Sequence, residues 1–502
     1  MEFLLDPTTH GCAEGGVAHV QTHLSEIVLA GNHVYKLKRA VQLPYVDFST
    51  CKNRLSACLN ELELNRKTAP TIYRAVRKIT RDKDGRLSFD GQGEEIDAVV
   101  EMVRFDEDAI LENMAKRHIL ANSTLEAVAR EVGRFHDNAD AMPGNGDMSA
   151  VLDVNLAAFR SSNFFAEDLV TKFDTGCRRL HAIHLDLLSR RARDGYRRRC
   201  HGDLHLRNIC LIDGKPVLFD CLEFNAELSA IDVLYDLAFL LMDLWRLEQR
   251  AQANLVLNRY LDTRNDEDGL PLIPFFMALR AGIRAHVLAT HAADCTAPDR
   301  EQIENDAHRY LALALRLLEP SQARVLVISG KSGTGKSTIA AAIADRVGPP
   351  PGARILSSDR IRKQMLGADA QAKLPASAYS RAMSEKVYAY QAAHTQAIAT
   401  NGTGVIADAV FDRATDRQRI EKAAQAANTS FFAVQLVAPV ATLLYRVETR
   451  EPGPSDADAT IVAAQHAKAD SINAWPEIDT SGSEDDTLRQ FAKIIGVTPD
   501  AR

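Results

Sequence analysis

Apolar and polar positions alternate in short runs through the first hundred residues. Ser25–Leu29 and His33–Lys38 alternate on either side of Ala30-Gly31-Asn32, which predicts two strands joined by a hairpin turn. The period lengthens over Cys51–Thr68, a helix that stops before Pro70. Arg74–Thr80 and Leu87–Phe89 flank Asp82–Arg86, where Asp84-Gly85 is a second hairpin signal, and Ile96–Val103 is a further strand. A small sheet-rich lobe with one helix follows from these elements. Helical periods dominate from Asn122 to Leu318. Thr124–His136 puts Leu125, Val128, Val132 and Phe135 on one face, and Lys172–Arg193, Ile231–Leu261 and Phe275–His291 also fit helices. A β-type insert, Ile209–Asp220, turns at Asp213-Gly214.

After Glu319-Pro320 the pattern changes again. The strand Val325–Ser329 leads through a glycine-rich turn into the helix Ser337–Val347. Arg354–Leu356, Val405–Ala407 and Phe431–Val437 are further strands separated by helical stretches. Alternation of this kind predicts a parallel sheet with crossover helices. The fold class expected is therefore two-domain: an α+β unit built like a protein kinase, then an α/β unit. The boundaries expected are 1–320, with lobes at about 1–103 and 104–320, and 321–502. A length of 502 residues fits that division, at roughly 100–200 residues per domain.

Composition narrows the functional classes. The net charge of −7 divides into +2 for residues 321–502 (21 Lys+Arg against 19 Asp+Glu) and −9 for the remainder (39 against 48). Neither part is basic enough for general nucleic-acid binding. Eight cysteines are scattered without a C-x-x-C pair, which argues against zinc and against a disulfide framework. The start, MEFLLDPTTHGCAEGG, lacks a basic segment and a long apolar core. The apolar run Val233–Leu244 is interrupted by Tyr235, Asp236 and Asp243, and it is shorter than the roughly 20 residues that span a bilayer. A cytoplasmic protein with no membrane partner is expected. The run Arg190–Arg199 reads as a solvated helix end. His286 and His291, on one helical stretch, are not read as a metal site.

Two motifs carry chemistry. Gly330-Lys331-Ser332-Gly333-Thr334-Gly335-Lys336-Ser337, followed by Thr338, matches G-x-x-x-x-G-K-[ST] between an apolar strand and an Ala-rich helix. Its glycines let backbone N–H groups turn inward on phosphate oxygens. Lys336 reaches the β- and γ-phosphates, Ser337 ligates Mg²⁺, and the helix N-terminus faces the anion. In the same unit, Asp359 could accept a proton from a substrate hydroxyl with Arg362 beside it. Asp408, ending a strand, could hold Mg²⁺ through water. Arg446 and Arg450, one turn apart, could close over the transferring phosphoryl group. This pattern resembles the P-loop kinases that phosphorylate hydroxyl groups, including the polynucleotide-kinase and zeta-toxin-like group, over roughly residues 323–475. It includes Ser357-Ser358-Asp359, Ala407-Asp408-Ala409-Val410-Phe411 and Ser455-Asp456-Ala457.

The second motif is His201-Gly202-Asp203-Leu204-His205-Leu206-Arg207-Asn208, with Asp220 at the end of the strand Val217–Phe219. In a kinase-type site one Asp receives the hydroxyl proton, while an Asn five residues later and an Asp on the next hairpin hold Mg²⁺. Asp203, Asn208 and Asp220 fill those places. His201 orients its loop in this reading, His205 is a substrate contact or a solvated loop residue, and Asp232 and Asp236 hold the loop or cap a helix. Residues 20–310 resemble the aminoglycoside-phosphotransferase-like, or choline-kinase-like, branch of the protein-kinase superfamily. The resemblance implies that Lys36, or Lys38 on the same strand face, pairs the nucleotide phosphates. It implies Glu61, then Glu63, as the partner of that lysine, and Glu101–Val103 as the segment that meets adenine. Thr22-His23-Leu24-Ser25 replaces the glycine-rich loop of protein kinases. Asp220-Cys221-Leu222-Glu223 departs from Asp-Phe-Gly and no long activation segment follows, which favours a small hydroxylated acceptor over a protein. Glu223 assists metal or substrate binding or makes a structural hydrogen bond.

The whole chain resembles bacterial proteins that fuse an aminoglycoside-phosphotransferase-like unit to an ATP-binding P-loop kinase. The resemblance implies ATP and Mg²⁺ as cofactors and phosphoryl transfer to small hydroxylated molecules at two sites. Two other readings stay open: an N-terminal kinase regulated by a nucleotide-sensing P-loop unit, and a nucleic-acid end kinase in the C-terminal unit.

Overall fold

The computed structural model describes residues 1–495 except 14, 23, 44–45, 224–228, 294–296, 450–452, 454 and 468–474. It forms two compact units, 1–247 with 276–315 and 248–275 with 316–502.

The first unit opens with an antiparallel sheet in the order β1-β2-β3-β6-β4-β5. Its strands are β1 (Val17–Gln21), β2 (Ser25–Ala30), β3 (His33–Lys38), β4 (Tyr73–Arg81), β5 (Leu87–Phe89) and β6 (Glu94–Val103). The β2–β3 turn places Gly31 at φ 56°, a left-handed conformation that suits glycine. Alternation along β3 sends Tyr35 and Leu37 to one face, with Leu4, Val28 and Phe89. Val34 goes to the other face, with Cys58 and Leu55 of helix α1 (Cys51–Thr68). Lys36 and Lys38 share the face of Val34, so both point at α1. Thr50 caps that helix by accepting the Asn53 N–H at 3.2 Å.

The rest of the unit is mainly helical. Helices α2 (Asn122–Asn138) and α3 (Glu167–Arg193) precede β7 (Arg197–Arg199), the hairpin of β8 (Ile209–Ile212) and β9 (Lys215–Leu218), and β10 (Ala230–Asp232), which pairs with β7. The continuous helical stretch expected over Ile231–Leu261 is divided. It becomes β10, α4 (Val233–Arg246) and α5 (Arg250–Leu261), with Glu248 at φ 58° between the helices. The arginine run is not a solvated end. Arg191 is fully buried on Asp232, with Nε–Oδ2 2.7 Å and Nη2–Oδ1 3.0 Å, and it stacks 4.1 Å from the Tyr196 ring centre. Arg198 donates to the carbonyls of His136, Asp137 and Ala139 at the end of α2. Helix α6 (Ile273–Ala292) is long and apolar enough to cross a membrane, but 67% of its apolar stretch, with the turn before it, is buried inside the protein.

The second unit is a five-stranded parallel sheet in the order β12-β13-β11-β14-β15. Its strands are β11 (Arg324–Gly330), β12 (Arg354–Ser357), β13 (Val405–Asp408), β14 (Ser430–Val437) and β15 (Glu477–Asp479). Leu326, Ile328, Ile406, Val434 and Leu436 pack beneath helix α7 (Lys336–Ile343), through Ile339 and Ile343. Sequence did not foresee β15.

The expected boundary at 320 omits the segment 248–275, which groups with this second unit. The physical reason lies at the edge strand β12. Asn258 of α5 accepts the Ile355 N–H at 2.7 Å and donates to the Ala353 carbonyl at 3.0 Å, doing for the edge what a neighbouring strand would do. Asn254 donates to the Pro351 and Ala353 carbonyls. Arg354, 4% exposed, is held by Asp262 at 2.8 Å and Glu267 at 3.3 Å, and Arg360 joins Asp262 at 3.0 Å. Burial alone would raise the Asp262 pKa, but Arg354, Arg259 and Arg360 hold it below the ordinary carboxylate value. Asn258→Leu should lower the stability of this unit by about 1–3 kcal/mol, the cost of leaving a buried polar group unpaired. Urea unfolding checks this, and a loss below about 0.5 kcal/mol, the range of an ordinary surface substitution, would mean the edge is satisfied in another way.

Candidate active sites

In the first unit, helix α4 holds the 201–208 loop from below. Asp236, fully buried, accepts the His201 N–H at 3.0 Å, the Gly202 N–H at 2.9 Å and His136 Nε2 at 3.1 Å. Asp243, two turns along the same helix, accepts the Leu206 N–H at 3.2 Å. Asp232 caps α4 through the Leu234 N–H at 2.8 Å. Gly202 sits at φ 83°, and a Cβ there would lie 2.9 Å from Leu222 Cβ. His201 is buried with Nε2 2.9 Å from the Phe219 carbonyl, which fixes the proton on Nε2. Burial lowers its pKa, so the ring is neutral and ties the loop to the strand leading into Asp220. His136, Cys200 and Asp236 bring three potential metal-binding atoms within 4.8 Å of one another. Asp236 is already committed to loop amides, and burial raises the Cys200 thiol pKa, so this cluster is structural.

Asn208 donates its amide to the Asp203 carbonyl and to Asp203 Oδ2, both at 3.0 Å, which keeps its own carbonyl oxygen for a cation. His205 Nδ1 accepts the Arg207 N–H at 3.2 Å. Its proton is therefore on Nε2, 3.3 Å from Asp203 Oδ2. Burial pushes the Asp203 pKa up, but His205 and Arg284 more than reverse this and hold it well below the usual range. With a side chain 40% exposed, Asp203 is an ionised, reachable proton acceptor. Asp220 takes φ 62°, and its N–H donates to the Tyr73 hydroxyl at 3.2 Å, while the Cys221 N–H donates to Asn65 Oδ1 at 2.9 Å.

The choice between Lys36 and Lys38 resolves into a shared arrangement. Glu61 is fully buried between them, with Oε1 2.8 Å from Lys36 and Oε2 2.5 Å from Lys38. Lys36, 12% exposed, reaches on to Asp220 at 2.5 Å, whereas Lys38, 1% exposed, is bonded to Glu223. Only Lys36 combines exposure with contact to Asp220, so it is the one placed to meet a phosphate. Burial disfavours charge on Lys36, but Asp220 and Glu61 raise its pKa well above the ordinary value. Burial raises the Glu223 pKa, with Lys38 opposing. His23 of the segment expected to replace the glycine-rich loop lies outside the described residues. Glu101 Oε1 meets His33 Nδ1 at 3.0 Å, with its backbone in the β3–β6 pairing.

In the second unit, Ser337 Oγ donates to Asp408 Oδ2 at 2.6 Å, which unites two of the expected metal ligands. Both are hard oxygen donors, as Mg²⁺ requires. Asp408 is 3% exposed, and burial raises its pKa against Lys336 and Ser337. Gly330, Gly333 and Gly335 take φ 148°, 86° and 83°. A Cβ on Gly333 would lie 2.8 Å from the Leu443 carbonyl, so the loop tip admits only glycine. Thr334 Oγ1 donates to the Lys331 carbonyl at 2.8 Å, and Lys336 Nζ lies 3.0 Å from that oxygen. Ser332 donates its N–H to Gln465 Oε1 at 2.9 Å, and Thr338 is exposed in the first turn of α7.

Asp359 lies in the first turn of helix α8 (Ser358–Met365). Arg362, 6% exposed, donates to the Ala378 carbonyl at 2.8 Å and lies 4.8 Å from the Tyr379 ring centre. Helix α9 (Arg381–Thr400) follows, with Gln391 donating to the Leu356 carbonyl at 2.6 Å. Arg446, on helix α10 (Val440–Thr449), is tied to the Thr480 carbonyl at 2.6 Å at the end of β15. Arg450 lies outside the described residues. Sequence reading missed the role of Asp456, which accepts Lys363 Nζ at 3.0 Å, the Leu374 N–H at 2.9 Å and the Tyr379 hydroxyl at 2.7 Å. Its only signal was its place in Ser455-Asp456-Ala457.

Residues 85–272 match the family model of the phosphotransferase enzyme family, and residues 325–472 match that of an AAA domain. Uncharacterised proteins of Mycobacterium tuberculosis and Mycobacterium bovis are each 28% identical over 486 residues, covering 94% of this chain and 94% of theirs. Among solved structures, a choline/ethanolamine kinase family protein from Mesorhizobium loti matches at 13% identity and TM-score 0.37, covering 60% of this chain and 92% of its own. A gluconokinase from Sinorhizobium meliloti matches at 16% identity and TM-score 0.25, covering 34% and 90%. The phosphotransferase-family match covers the part that carries Asp203, Asn208 and Asp220, and the AAA-domain match covers the part that carries the P-loop.

The ion network generates a stability prediction. Lys38→Met leaves Glu61 and Glu223 as buried neighbouring charges, and should cost about 3–5 kcal/mol in urea unfolding. Lys36→Met should cost less, because Glu61 keeps Lys38. Equal losses would contradict the shared arrangement.

Proposed function

We infer that this chain, which joins a domain of the phosphotransferase enzyme family to a P-loop domain, is an ATP-dependent phosphotransferase with two nucleotide sites, each transferring the γ-phosphoryl group to a hydroxyl of a small molecule. The observation that carries this reading is the assembly around Asp203. A proton acceptor bonded to Asn208 shares one unit with Asp220, itself bonded to the Lys36–Glu61 pair.

At the first site Asp203 takes the acceptor's hydroxyl proton as the oxygen attacks the γ-phosphorus and the bond to the β-phosphate oxygen breaks, releasing ADP. Lys36 pairs the phosphates, and Asn208 and Asp220 offer oxygens to Mg²⁺. Mg²⁺, when bound, neutralises the charge that develops on the transferring group. Only residues 221–232 separate Asp220 from α4, too few to form the docking platform of a protein-substrate kinase. This favours a small acceptor.

At the second site Gly330 to Thr338 cradle the triphosphate, with Lys336 at the β- and γ-phosphates and Ser337 and Asp408 toward Mg²⁺. Asp359 takes the acceptor's proton, and Arg362, packed on Tyr379, faces the acceptor side. Arg450 closes over the phosphoryl group, and Arg446 joins it only by leaving Thr480.

The test is transfer of label from γ-labelled ATP into a fractionated bacterial metabolite extract by wild type, Asp203→Ala, Lys336→Ala and Asp359→Ala. Loss of a general base should reduce its product about 10²–10⁴-fold. A product lost only in Asp203→Ala belongs to the first site, and one lost in both other variants belongs to the second. Intact ATP binding with no labelled small molecule would defeat the reading. Unchanged chemistry in Asp359→Ala alongside a loss in Lys336→Ala would make the P-loop unit a regulator.

A further inference from the structure

Gln465, outside the P-loop motif, accepts a backbone N–H of the loop, that of Ser332, at 2.9 Å. It lies on helix α11 (Ala459–Ala467), and the position of Ser332 gives the contact a chemical meaning. Lys336 Nζ lies 3.0 Å from the Lys331 carbonyl, so the lysine tip stands beside the Lys331–Ser332 peptide. That tip belongs at the junction of the β- and γ-phosphates. The Ser332 N–H therefore marks the γ end of the cradle, and Gln465 stands there with it.

The placement is braced. Val462, fully buried and one turn before Gln465, packs against Leu443 and Val447 of α10. The loop tip leans on the same helix, since a Cβ on Gly333 would meet the Leu443 carbonyl at 2.8 Å and Val447 Cγ2 at 3.2 Å. Asp458 starts α11 by accepting the Thr460 and Ile461 N–H groups at 3.1 Å. Loop tip, α10 and α11 thus pack as one block. The Gln465 oxygen is spent on Ser332, which leaves the amide nitrogen of the same carboxamide with two hydrogens to donate.

We propose that Gln465 is a positioning residue that reads the γ-phosphoryl group at the P-loop site, binding it through Nε2 while Oε1 holds the loop, so that the site distinguishes ATP from ADP. This rests on the reading of residues 330–338 as a nucleotide site. After transfer the γ-phosphoryl group has left, and the contact that favours ATP is lost from the ADP complex.

The experiment is equilibrium binding of ADP and of the β,γ-imido analogue of ATP to the full chain. Wild type, Gln465→Ala, Gln465→Glu and Lys336→Ala are compared, and the component lost in Lys336→Ala is assigned to the P-loop. Gln465→Ala should weaken the analogue about tenfold or more, the worth of a hydrogen bond to a charged group, and leave ADP within about twofold. Gln465→Glu keeps an acceptor for the Ser332 N–H but sets a carboxylate against the γ-phosphoryl oxygens, so it should weaken the analogue further. Equal loss of both nucleotides in Gln465→Ala, or binding of the analogue by Gln465→Glu as tight as wild type, would reduce Gln465 to a cap on the loop. If Lys336→Ala binds both nucleotides as wild type does, the P-loop reading itself fails and takes this proposal with it.

Discussion

Glu61 is a carboxylate with no solvent exposure, held between two lysines of one strand. A buried charge is tolerable only when it is paired, and here the pairing extends through Lys36 to Asp220 and through Lys38 to Glu223. Helix α1, strand β3 and the segment after β9 are therefore held by one electrostatic knot. Asn65 and Tyr73 reinforce it by fixing the backbone on either side of Asp220. The left-handed conformation of Asp220 persists because neighbours on several sides determine it.

The knot divides labour between two lysines that look equivalent in sequence. Lys38 satisfies the interior, which frees Lys36 to point outward at Asp220. Below the site, α4 does for the 201–208 loop what the knot does above it, spending Asp236 and Asp243 on backbone amides. Asp203 and Asn208 are thus displayed on a loop whose His201, Gly202 and Leu206 amides are already held, a condition for a preorganised site.

Much of this was legible in the residues because the motifs are local. Asp203, Asn208 and Asp220 sit on a loop and the hairpin that follows it, and the P-loop is eight consecutive residues between a strand and a helix. The period-2 face of β3 identified Lys36 and Lys38 together but could not rank them, since exposure depends on α1. That the segment 248–275 groups with the second unit could not be read, because a helical period is the same whichever surface it covers, and Asn258 finds its partners at 353–355. Arg446 shares a helix face with Arg450 by spacing alone. Its partner is a backbone carbonyl beside a three-residue strand, which leaves no pattern in sequence. Asp456 was visible only as part of a short polar run, because its three partners lie at 363, 374 and 379.

The loan of residues 248–275 to the second unit also sets an order in time. Asn258 leaves the ribosome about 97 residues before Ile355, a delay of roughly 5–20 s at ordinary synthesis rates. Through that interval α5 carries polar side chains shaped for a strand that does not yet exist. The segment that carries it is flanked in the chain by residues of the first unit, 247 and 276. A cut at 320 would make the condition permanent, leaving one fragment with an unpartnered helix and the other with a bare sheet edge. The two units are distinct as folds but not as continuous stretches of the chain.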